Sequence, residues 1–301
     1  MDISSSPASR FHSRLSESHL WALTQLLDYG WMLGIGFVVG MLFGGDQTVR
    51  HSTLSLAAAC ALLGCAAVAV LTFREHNNFM MLGVRGARCK RRTPLSTKTL
   101  WFVLQTSTVS MSSFFLLYKL NLMHYTPCEP TLAYWLQTFL PFYTLLVLRD
   151  VCFLLPLHSL MHTPRFYKWH KTHHEVRSDA QALHAFHIDV VDLLVENVGA
   201  PVLLLLGQYA LGLPVGLHWI TGAMLTMHDG ALHSVNPWSV MYFNPLLDYL
   251  LEPNVNHQLH HALNKGHYLF VPWSHAVSPE RRYADRRKYN EVFKTKFSVE
   301  W

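Results

Sequence analysis

Apolar residues in this chain occur in long runs, and four of these runs match the thickness of a bilayer. An α-helix needs about 20 predominantly apolar residues to cross the hydrocarbon core. Residues 53–73 read TLSLAAACALLGCAAVAVLTF without a charge, which makes this run the clearest. The run at 131–155 is interrupted late by Arg149 and Asp150. The pattern predicts transmembrane helices at 21–43, 53–73, 100–120 and 131–155.

The polar segment at 74–99 sets the predicted orientation in the membrane. It carries seven Arg or Lys residues against one acid, Glu75. Loops with an excess of Arg and Lys remain in the cytosol. With this loop in the cytosol, the Ser-rich residues 1–20 are expected to form a disordered cytosolic tail, and the chain after residue 155 returns to the cytosolic side.

A further apolar stretch, at 198–227, is broken by glycines and prolines around the sequence LGLPVG. Such a stretch suits a helical hairpin that either dips into the membrane or crosses it twice. The predicted fold is therefore an all-α integral membrane protein in three parts. These are the tail at 1–20, the transmembrane helices at 21–155, and a histidine-rich helical region at 156–301 that includes the hairpin.

Composition supports the membrane interpretation and narrows the function classes. Half of the residues are hydrophobic and 14% are charged, whereas soluble domains carry about 25% charged residues. The basic residues lie in the 74–99 loop and near the C-terminus, a distribution that indicates contact with membrane surfaces and argues against a nucleic-acid partner. The five cysteines are an odd number and mostly lie in or beside apolar segments, so no disulfide framework is expected.

The twenty histidines of the chain include short clusters with metal-ligand spacing. After residue 157 the sequence contains HSLMH, HKTHH, HAFH, HDGALH and HQLHH, in that order. On a helix, residues three and four apart lie on one face, so HxxxH and HxxHH are each expected to present two or three rings to one point. Because neutral imidazole is the commonest metal ligand among side chains, the clusters predict metal binding.

The number of imidazoles predicts two ions. The clusters without HAFH hold ten, which exceeds the four ligands of a tetrahedral site. Imidazole suits zinc, copper, iron and nickel alike, so ligand type leaves the metal open. His228 and His233 are five residues apart, about 500° around a helix, and would share a face only if Gly230 opens a turn. Asp229, between them, would either orient a ligand ring or cap a helix.

The order HxxxH, HxxHH, HxxxxH, HxxHH after several spanning helices resembles the fatty acid hydroxylase superfamily, the membrane di-iron oxygenases that include sterol desaturases. The likeness runs from about residue 157 to 273. HAFH followed by Asp189 is similar to a segment of C5-sterol desaturases. HDGALH resembles the HDG motif of sterol desaturases and the HDGxxH motif of carotenoid hydroxylases, and NHQLHH with NKGHY resembles the last histidine box of the family.

The resemblance implies a ligand set. The implied iron ligands are His158, His162, His170, His173, His174, His228, His233, His257, His260 and His261. Two roles remain open for His184 and His187. They would either form hydrogen bonds that support the ligands or form buried hydrogen bonds that are unrelated to the metal site. His267 and His275 are expected to lie outside the ligand set.

The resemblance also implies an activity and its partners. Two iron ions, with zinc as an alternative occupant in purified protein, would serve O2 cleavage with electrons passed from NAD(P)H through a reductase and cytochrome b5. The product would be a hydroxylated or desaturated apolar lipid, sterol or lipid-like specialised metabolite. The chain contains no HPGG haem-binding sequence, so the electron donor is expected to be a separate protein. The implied location is the endoplasmic reticulum membrane, with the catalytic face in the cytosol.

Two departures from the family pattern concern the substrate. Ser159 follows the first histidine where the family often has arginine, and Ser274 replaces an acid in the C-terminal motif. These departures favour a lipid-like or specialised metabolite over an intermediate of core sterol synthesis.

Two other classes of membrane protein also gather histidines. A metal transporter would hold its ions near the membrane midplane, whereas these clusters lie outside the four predicted spans. A zinc-dependent hydrolase needs few imidazoles and a carboxylate base, and the chain has no HExxH motif.

Overall fold

The computed structural model describes residues 19, 22–28, 96–120, 124–126, 133, 140–177, 182–211, 216–218, 230, 232–233, 253–264 and 279–293. Within these ranges, no helix combines the length and the apolarity needed to cross a bilayer. The predicted span at 53–73, most of the span at 21–43, and the basic loop as far as residue 95 lie outside the described residues.

The described part of the chain is mainly helical, in keeping with the all-α prediction. The helices are α1 (Thr97–Lys119), α2 (Leu140–Arg149), α3 (Leu155–Met161), α4 (Tyr167–His170), α5 (Val190–Asp192), α6 (Gly199–Ala210), α7 (Pro253–Leu263) and α8 (Pro279–Phe293). Two π-helices lie at Asp150–Leu154 and Leu193–Val198, and two 3-10 helices at His173–Glu175 and Ala182–Phe186. Strands β1 (His124–Thr126) and β2 (Gly216–His218) pair in parallel, with Tyr125 opposite Leu217.

The stretch predicted as an apolar hairpin is described in its first half. Helix α6 occupies Gly199–Ala210, and residues 216–218 form β2 rather than helix. Pro214 stands between the two elements, and a proline weakens a helix because it lacks a backbone N–H and its ring crowds the preceding turn. The helical arm of the hairpin is therefore followed by an extended segment at 216–218.

Helix α1 turns buried threonines toward the protein and large apolar side chains outward. Its N-terminus is capped by Ser96, whose Oγ accepts a hydrogen bond from the backbone N–H of Thr99 at 3.0 Å. The buried Thr106 donates its hydroxyl proton to the backbone carbonyl of Phe186 at 3.2 Å. Among the side chains of α1 that the structure describes, the large apolar residues that are more than half exposed are Leu100, Trp101, Leu104 and Leu116. Helix α1 therefore fixes the 3-10 helix that ends at Phe186.

Helix α2, the first π-helix and α3 follow one another without a break. At their junction, Arg149 donates two hydrogen bonds to Oδ1 of Asp150, at 2.8 Å from Nε and 2.6 Å from Nη2. Both side chains are buried. A π-helix inserts one extra residue per turn and rotates the helix that follows, and such segments are frequent at functional sites. Here the helix that follows is α3, which carries His158.

The second π-helix leads directly into α6, which packs against α2. A Cβ added at Gly207 of α6 would lie 3.0 Å from Cδ2 of Leu145 in α2. The missing side chain at Gly207 therefore allows the two helices to approach closely.

Helix α7 is buried along most of its length, and α8 covers one side of it. Val255 and Leu259 of α7 pack against Tyr289 of α8, and all three are almost inaccessible to solvent. Beyond the last turn of α7, Asn264 has φ of 56°, a left-handed conformation that asparagine tolerates better than most residues. The helix that carries HQLHH is thus held in place by apolar packing.

Candidate metal centre

Nine of the ten histidines predicted as ligands lie in two compact groups. Within each group, one ring nitrogen from every member lies within 4.8 Å of the others. The five-histidine group contains His158, His162, His170, His174 and His260, and the four-histidine group contains His173, His233, His257 and His261. His228 and Asp229 lie outside the described residues, as do His267 and His275, and the helix break predicted inside HDGALH falls partly outside them.

Each HxxHH motif contributes two rings to one group, as the lower count of the predicted two or three requires, and its remaining ring to the other group. In HKTHH, the first and last histidines join the five-histidine group, whereas His173 joins the other. In HQLHH, the first and last histidines join the four-histidine group, whereas His260 joins the other. On a helix such as α7, residues i and i+4 differ by about 40° in direction and residues i+3 and i+4 by about 100°. Adjacent histidines therefore point to different positions, and each motif spans both.

In the five-histidine group, four Nε2 atoms form a chain of short contacts. The Nε2 atoms of His158 and His260 are 3.0 Å apart, those of His260 and His174 are 3.1 Å apart, and those of His174 and His170 are 3.1 Å apart. His162 lies beside this chain, with its ring centroid 4.4 Å from that of His260. All five rings therefore face a common centre.

The four-histidine group has the same form and adjoins the first. Its Nε2 atoms are 3.1 Å apart between His233 and His173, 3.2 Å between His257 and His233, and 3.2 Å between His261 and His257. The rings of His261 and His174 stack with centroids 4.6 Å apart. The two groups are thus in direct contact.

The nitrogen spacings match those of ligands around a metal ion. Two nitrogens that are each about 2.1 Å from one ion lie about 3.0 Å apart at a right angle and about 3.4 Å apart at the tetrahedral angle. The six Nε2 contacts in the two groups measure 3.0–3.2 Å. Each group could therefore hold a metal ion with little movement of the rings.

The comparison with known families agrees with this geometry. Residues 142–277 match the family model described as fatty acid hydroxylase. This part of the chain is a fatty acid hydroxylase domain. The matched region contains all ten histidines predicted as ligands, so the family resemblance is confirmed. No curated protein and no solved structure matches the chain. The family consists of oxidoreductases that use O2 on lipids and are typically membrane-associated.

Two carboxyl groups of the fatty acid hydroxylase domain lie behind rings of the five-histidine group. Nδ1 of His170 and Oδ2 of Asp192 share a hydrogen bond of 2.6 Å, and both side chains are fully buried. Nδ1 of His158 lies 3.3 Å from Oε1 of Glu196. Neither acid was predicted from the sequence. Their spacing of four residues in an apolar stretch, which places side chains on one face, was the available signal.

Burial determines the charge on the Asp192–His170 pair. Burial, with smaller contributions from the nearby Glu196 and Asp189, raises the pKa of Asp192 to about 10. Burial also lowers the pKa of His170 well below its usual value. The pair therefore holds one proton between two groups and carries no net charge at neutral pH.

Burial also keeps five other rings neutral, which leaves a lone pair on each of these five for a metal ion. It lowers the pKa of His158 to about 3, with smaller contributions from His162 and His233. It lowers the pKa of the half-buried His162 to about 4. The pKa is lowered in the same way, first by burial and then by neighbouring histidines, for His173, His174 and His261.

His184 and His187 belong to neither group of ligand atoms. His187 lies between α1 and the HKTHH segment, with Nδ1 3.2 Å from Oγ1 of Thr99 and Nε2 3.1 Å from Oε2 of Glu175. The Lys98 ammonium donates to the same carboxylate oxygen at 2.5 Å. This network ties Glu175, which directly follows HKTHH, to the N-terminus of α1.

Replacing Thr99 by valine is expected to lower the free energy of unfolding by about 1–3 kcal/mol. Valine keeps the shape of threonine, but it leaves Nδ1 of the buried His187 without its hydroxyl partner. Denaturant unfolding in detergent would measure the loss. Thr108 lies on the exposed side of the same helix, so Thr108→Val is a matched control with an expected change within about 0.5 kcal/mol. Equal losses in both variants would show that the Thr99–His187 contact adds no stability.

Proposed function

We propose that the fatty acid hydroxylase domain holds two iron ions and uses O2 to hydroxylate or desaturate an apolar lipid, sterol or lipid-like metabolite. The observation that carries this proposal is the convergence of nine imidazoles into two adjoining groups. Nine such ligands exceed the needs of one tetrahedral ion. Imidazole accommodates iron as well as zinc, and a family of oxidoreductases favours the redox-active metal.

When bound, the ions would supply the activation of O2 and the removal of hydrogen from an unactivated C–H bond. The residues of the chain hold the ions and exclude water. Every member of the two groups is buried except His162, which is half-buried. At His261, Nδ1 donates to the backbone carbonyl of Val176 at 3.1 Å; a carbonyl only accepts, so Nε2 keeps its lone pair for the ion.

The half-buried His162 marks the side from which substrate and O2 would approach. Its ring lies 5.6 Å from that of Tyr167, centroid to centroid. The Tyr167 hydroxyl is hydrogen-bonded to the side-chain amide of Asn264, just beyond α7, with a distance of 3.0 Å to Nδ2. Tyr167 and Asn264 therefore join the HKTHH side of the centre to the HQLHH side at the proposed entrance.

Exposed apolar side chains support a location at the membrane. Besides the outer residues of α1, helix α6 exposes Leu206 and Tyr209, with relative exposures of 58% and 78%. In a membrane protein these side chains would contact acyl chains, and an apolar substrate could move from the bilayer to the centre without crossing water. We place the centre on the cytosolic face of the endoplasmic reticulum membrane, anchored by the predicted spans.

The basic side chains of helix α8 favour a separate, acidic electron donor such as cytochrome b5 with its NAD(P)H-dependent reductase. The helix carries five Arg or Lys residues and three acids, and Tyr289 attaches it to α7. A donor bound to α8 would lie on the opposite side of α7 from the metal ions. Complementary charge would guide its association, with a rate that falls as salt rises.

The test is metal analysis and O2 consumption by detergent-purified protein supplied with NADPH, reductase and cytochrome b5. The wild type is expected to contain about two irons per chain. His173→Ala and His260→Ala, one from each group, are expected to lose most O2 consumption and part of the iron, because each removes one ligand of a different position. His19→Ala, which changes an exposed histidine outside both groups, is the control. Zinc alone in the wild type, with no O2 consumption, would contradict the proposal.

A further inference from the structure

The segment that joins HSLMH to HKTHH presents positive charge at the surface. Arg165, Lys168 and Lys171 are exposed, and residues 151–174 contain no acid. The next acid in the chain, Glu175, forms an ion pair with Lys98. Residues 163–171, which we call the basic turn, therefore carry three positive charges with no acid among them.

The fold of the basic turn gathers these charges on the side away from the metal centre. The backbone N–H of Tyr167 donates to the carbonyl of Thr163 at 2.9 Å, and that of Lys171 donates to the carbonyl of Tyr167 at 2.8 Å. In such helical turns, residues three apart lie on one side, which brings the three basic residues together. His170, a member of the five-histidine group, is fully buried. The same turn thus contributes a metal ligand on its inner side and positive charge on its outer side.

Aromatic rings alternate with the charges. The Lys168 ammonium lies 4.6 Å from the centroid of the Trp169 ring, and the Arg165 guanidinium carbon lies 5.6 Å from that of Phe166. The two rings are half-buried, and their centroids are 5.7 Å apart. Aromatic and basic side chains together are typical of the boundary between acyl chains and lipid headgroups.

A contact with α1 relates the basic turn to the side of the protein proposed to face lipid. Lys98, at the start of α1, pairs with Glu175, the residue after HKTHH. The exposed apolar side chains of α1 begin two residues after Lys98, with Leu100 and Trp101. In the membrane location proposed above, HKTHH and the basic turn would therefore lie where α1 enters the hydrocarbon, which is the level of the headgroups.

We propose that the basic turn binds the phosphate of an anionic phospholipid of the bilayer, beside the entrance to the metal centre. Lys168 and Arg165 would contact the phosphate oxygens, with which both side chains form charge-assisted hydrogen bonds. The half-buried faces of Phe166 and Trp169 would contact the upper part of the acyl chains. His162, which marks the proposed entrance, directly precedes the basic turn. The acyl chains of the bound lipid would therefore begin next to that entrance.

The test is a binding titration of detergent-purified, full-length protein with a short-chain phosphatidylglycerol that carries a fluorophore on one acyl chain. Binding is followed by fluorescence anisotropy, and phosphatidylcholine with the same chains and fluorophore is the probe without net charge. The wild type is expected to bind the anionic probe at least about tenfold more tightly, with a preference that falls as salt rises. The inference draws on the membrane location in the proposed function, but the titration requires neither iron nor O2.

Variants of the basic turn assign the binding to it. Lys168→Gln is expected to weaken the binding of phosphatidylglycerol about fivefold, and the double variant Arg165→Gln, Lys168→Gln about 30-fold, because basic residues near headgroups contribute similar free energies. Lys168→Arg keeps the charge and is expected to bind within about twofold of the wild type. Arg287→Gln is the matched control. It removes one exposed positive charge from α8 and is expected to change the affinity less than about twofold.

Four results would overturn the inference while the proposed function stands. Three of them are equal affinity of the wild type for the two probes, equal effects of Lys168→Gln and Arg287→Gln, and displacement of the probe by inorganic phosphate as readily as by unlabelled phosphatidylglycerol. The fourth is a double variant that binds phosphatidylglycerol normally but no longer binds cytochrome b5, because the basic turn would then be a protein-docking surface. The proposed function fails separately, on the iron content and O2 consumption of the wild type.

Discussion

Replacing Asp150 by leucine is expected to lower the free energy of unfolding of the domain by about 3–5 kcal/mol. The substitution removes the acceptor of both Arg149 hydrogen bonds and leaves the guanidinium of Arg149, a residue that is only 8% exposed, without its carboxylate. Uncompensated buried charge is among the costliest defects in a folded protein. Denaturant unfolding of the detergent-solubilised protein would measure the loss.

The double variant Arg149→Met, Asp150→Leu compares the buried ion pair with an apolar pair at the same two positions. Apolar residues of similar size often replace a buried ion pair without loss, because the cost of desolvating both charges disappears with them. The double variant is therefore expected to be more stable than either single variant. A loss equal to the sum of the two single losses would mean that the residues contribute independently and that their pairing adds nothing.

Acid is expected to destabilise the metal-free protein strongly between pH 6.5 and about pH 3. Unfolded histidines take up protons near pH 6.5, whereas burial lowers the pKa of His162 to about 4 and that of His158 to about 3. In this window the unfolded state binds more protons, so the stability present above pH 6.5 is lost as the pH falls. One pKa unit corresponds to about 1.4 kcal/mol, so the shift from 6.5 to about 3 at His158 alone contributes on the order of 5 kcal/mol.

Thermal unfolding of the metal-free protein from pH 8 to pH 4 would measure this dependence. His162→Leu is expected to flatten the pH profile, because it removes a ring that must stay neutral in the fold. Bound Fe²⁺ is expected to raise stability above pH 6.5, since an ion that binds only the folded state stabilises it by mass action. A pH profile identical in wild type and His162→Leu would contradict the assignment of acid sensitivity to this ring.

For the nine described histidines, the family resemblance together with the spacing of HxxxH and HxxHH predicted which rings lie close to one another. The sequence was not sufficient to divide them between positions. His173 and His174 are neighbours in sequence and belong to different groups. Neighbouring residues on a helix point about 100° apart, so this division follows from the sequence only if two adjacent metal positions are assumed from the start.

The supporting contacts were harder to predict from the sequence. Asp192 lies 22 residues from the histidine that it contacts, and Thr99 lies 88 residues from His187. Pairings over such distances depend on how helices pack, which local periodicity does not determine. The π-helices also escaped prediction, since Asp150–Leu154 and Leu193–Val198 carry no residue pattern that distinguishes them from ordinary helix.

The helical elements were easier to predict than their ends. The apolar run at 100–120 corresponds closely to α1, whose helix begins after Ser96, a residue that favours helix starts. By contrast, the apolar stretch after α6 continues into β2, and its strand partner β1 lies about 90 residues earlier in the chain. Nothing local to residues 216–218 indicates that partner.

The division of HKTHH and HQLHH between the two groups has a mechanical consequence. The gap between the two ions would be set by bond lengths and torsions within each short peptide, and hardly by the contacts that hold one helix against another. Small movements of the surrounding helices would then displace both ions together. The distance between the two positions would stay constant while the surrounding helices move.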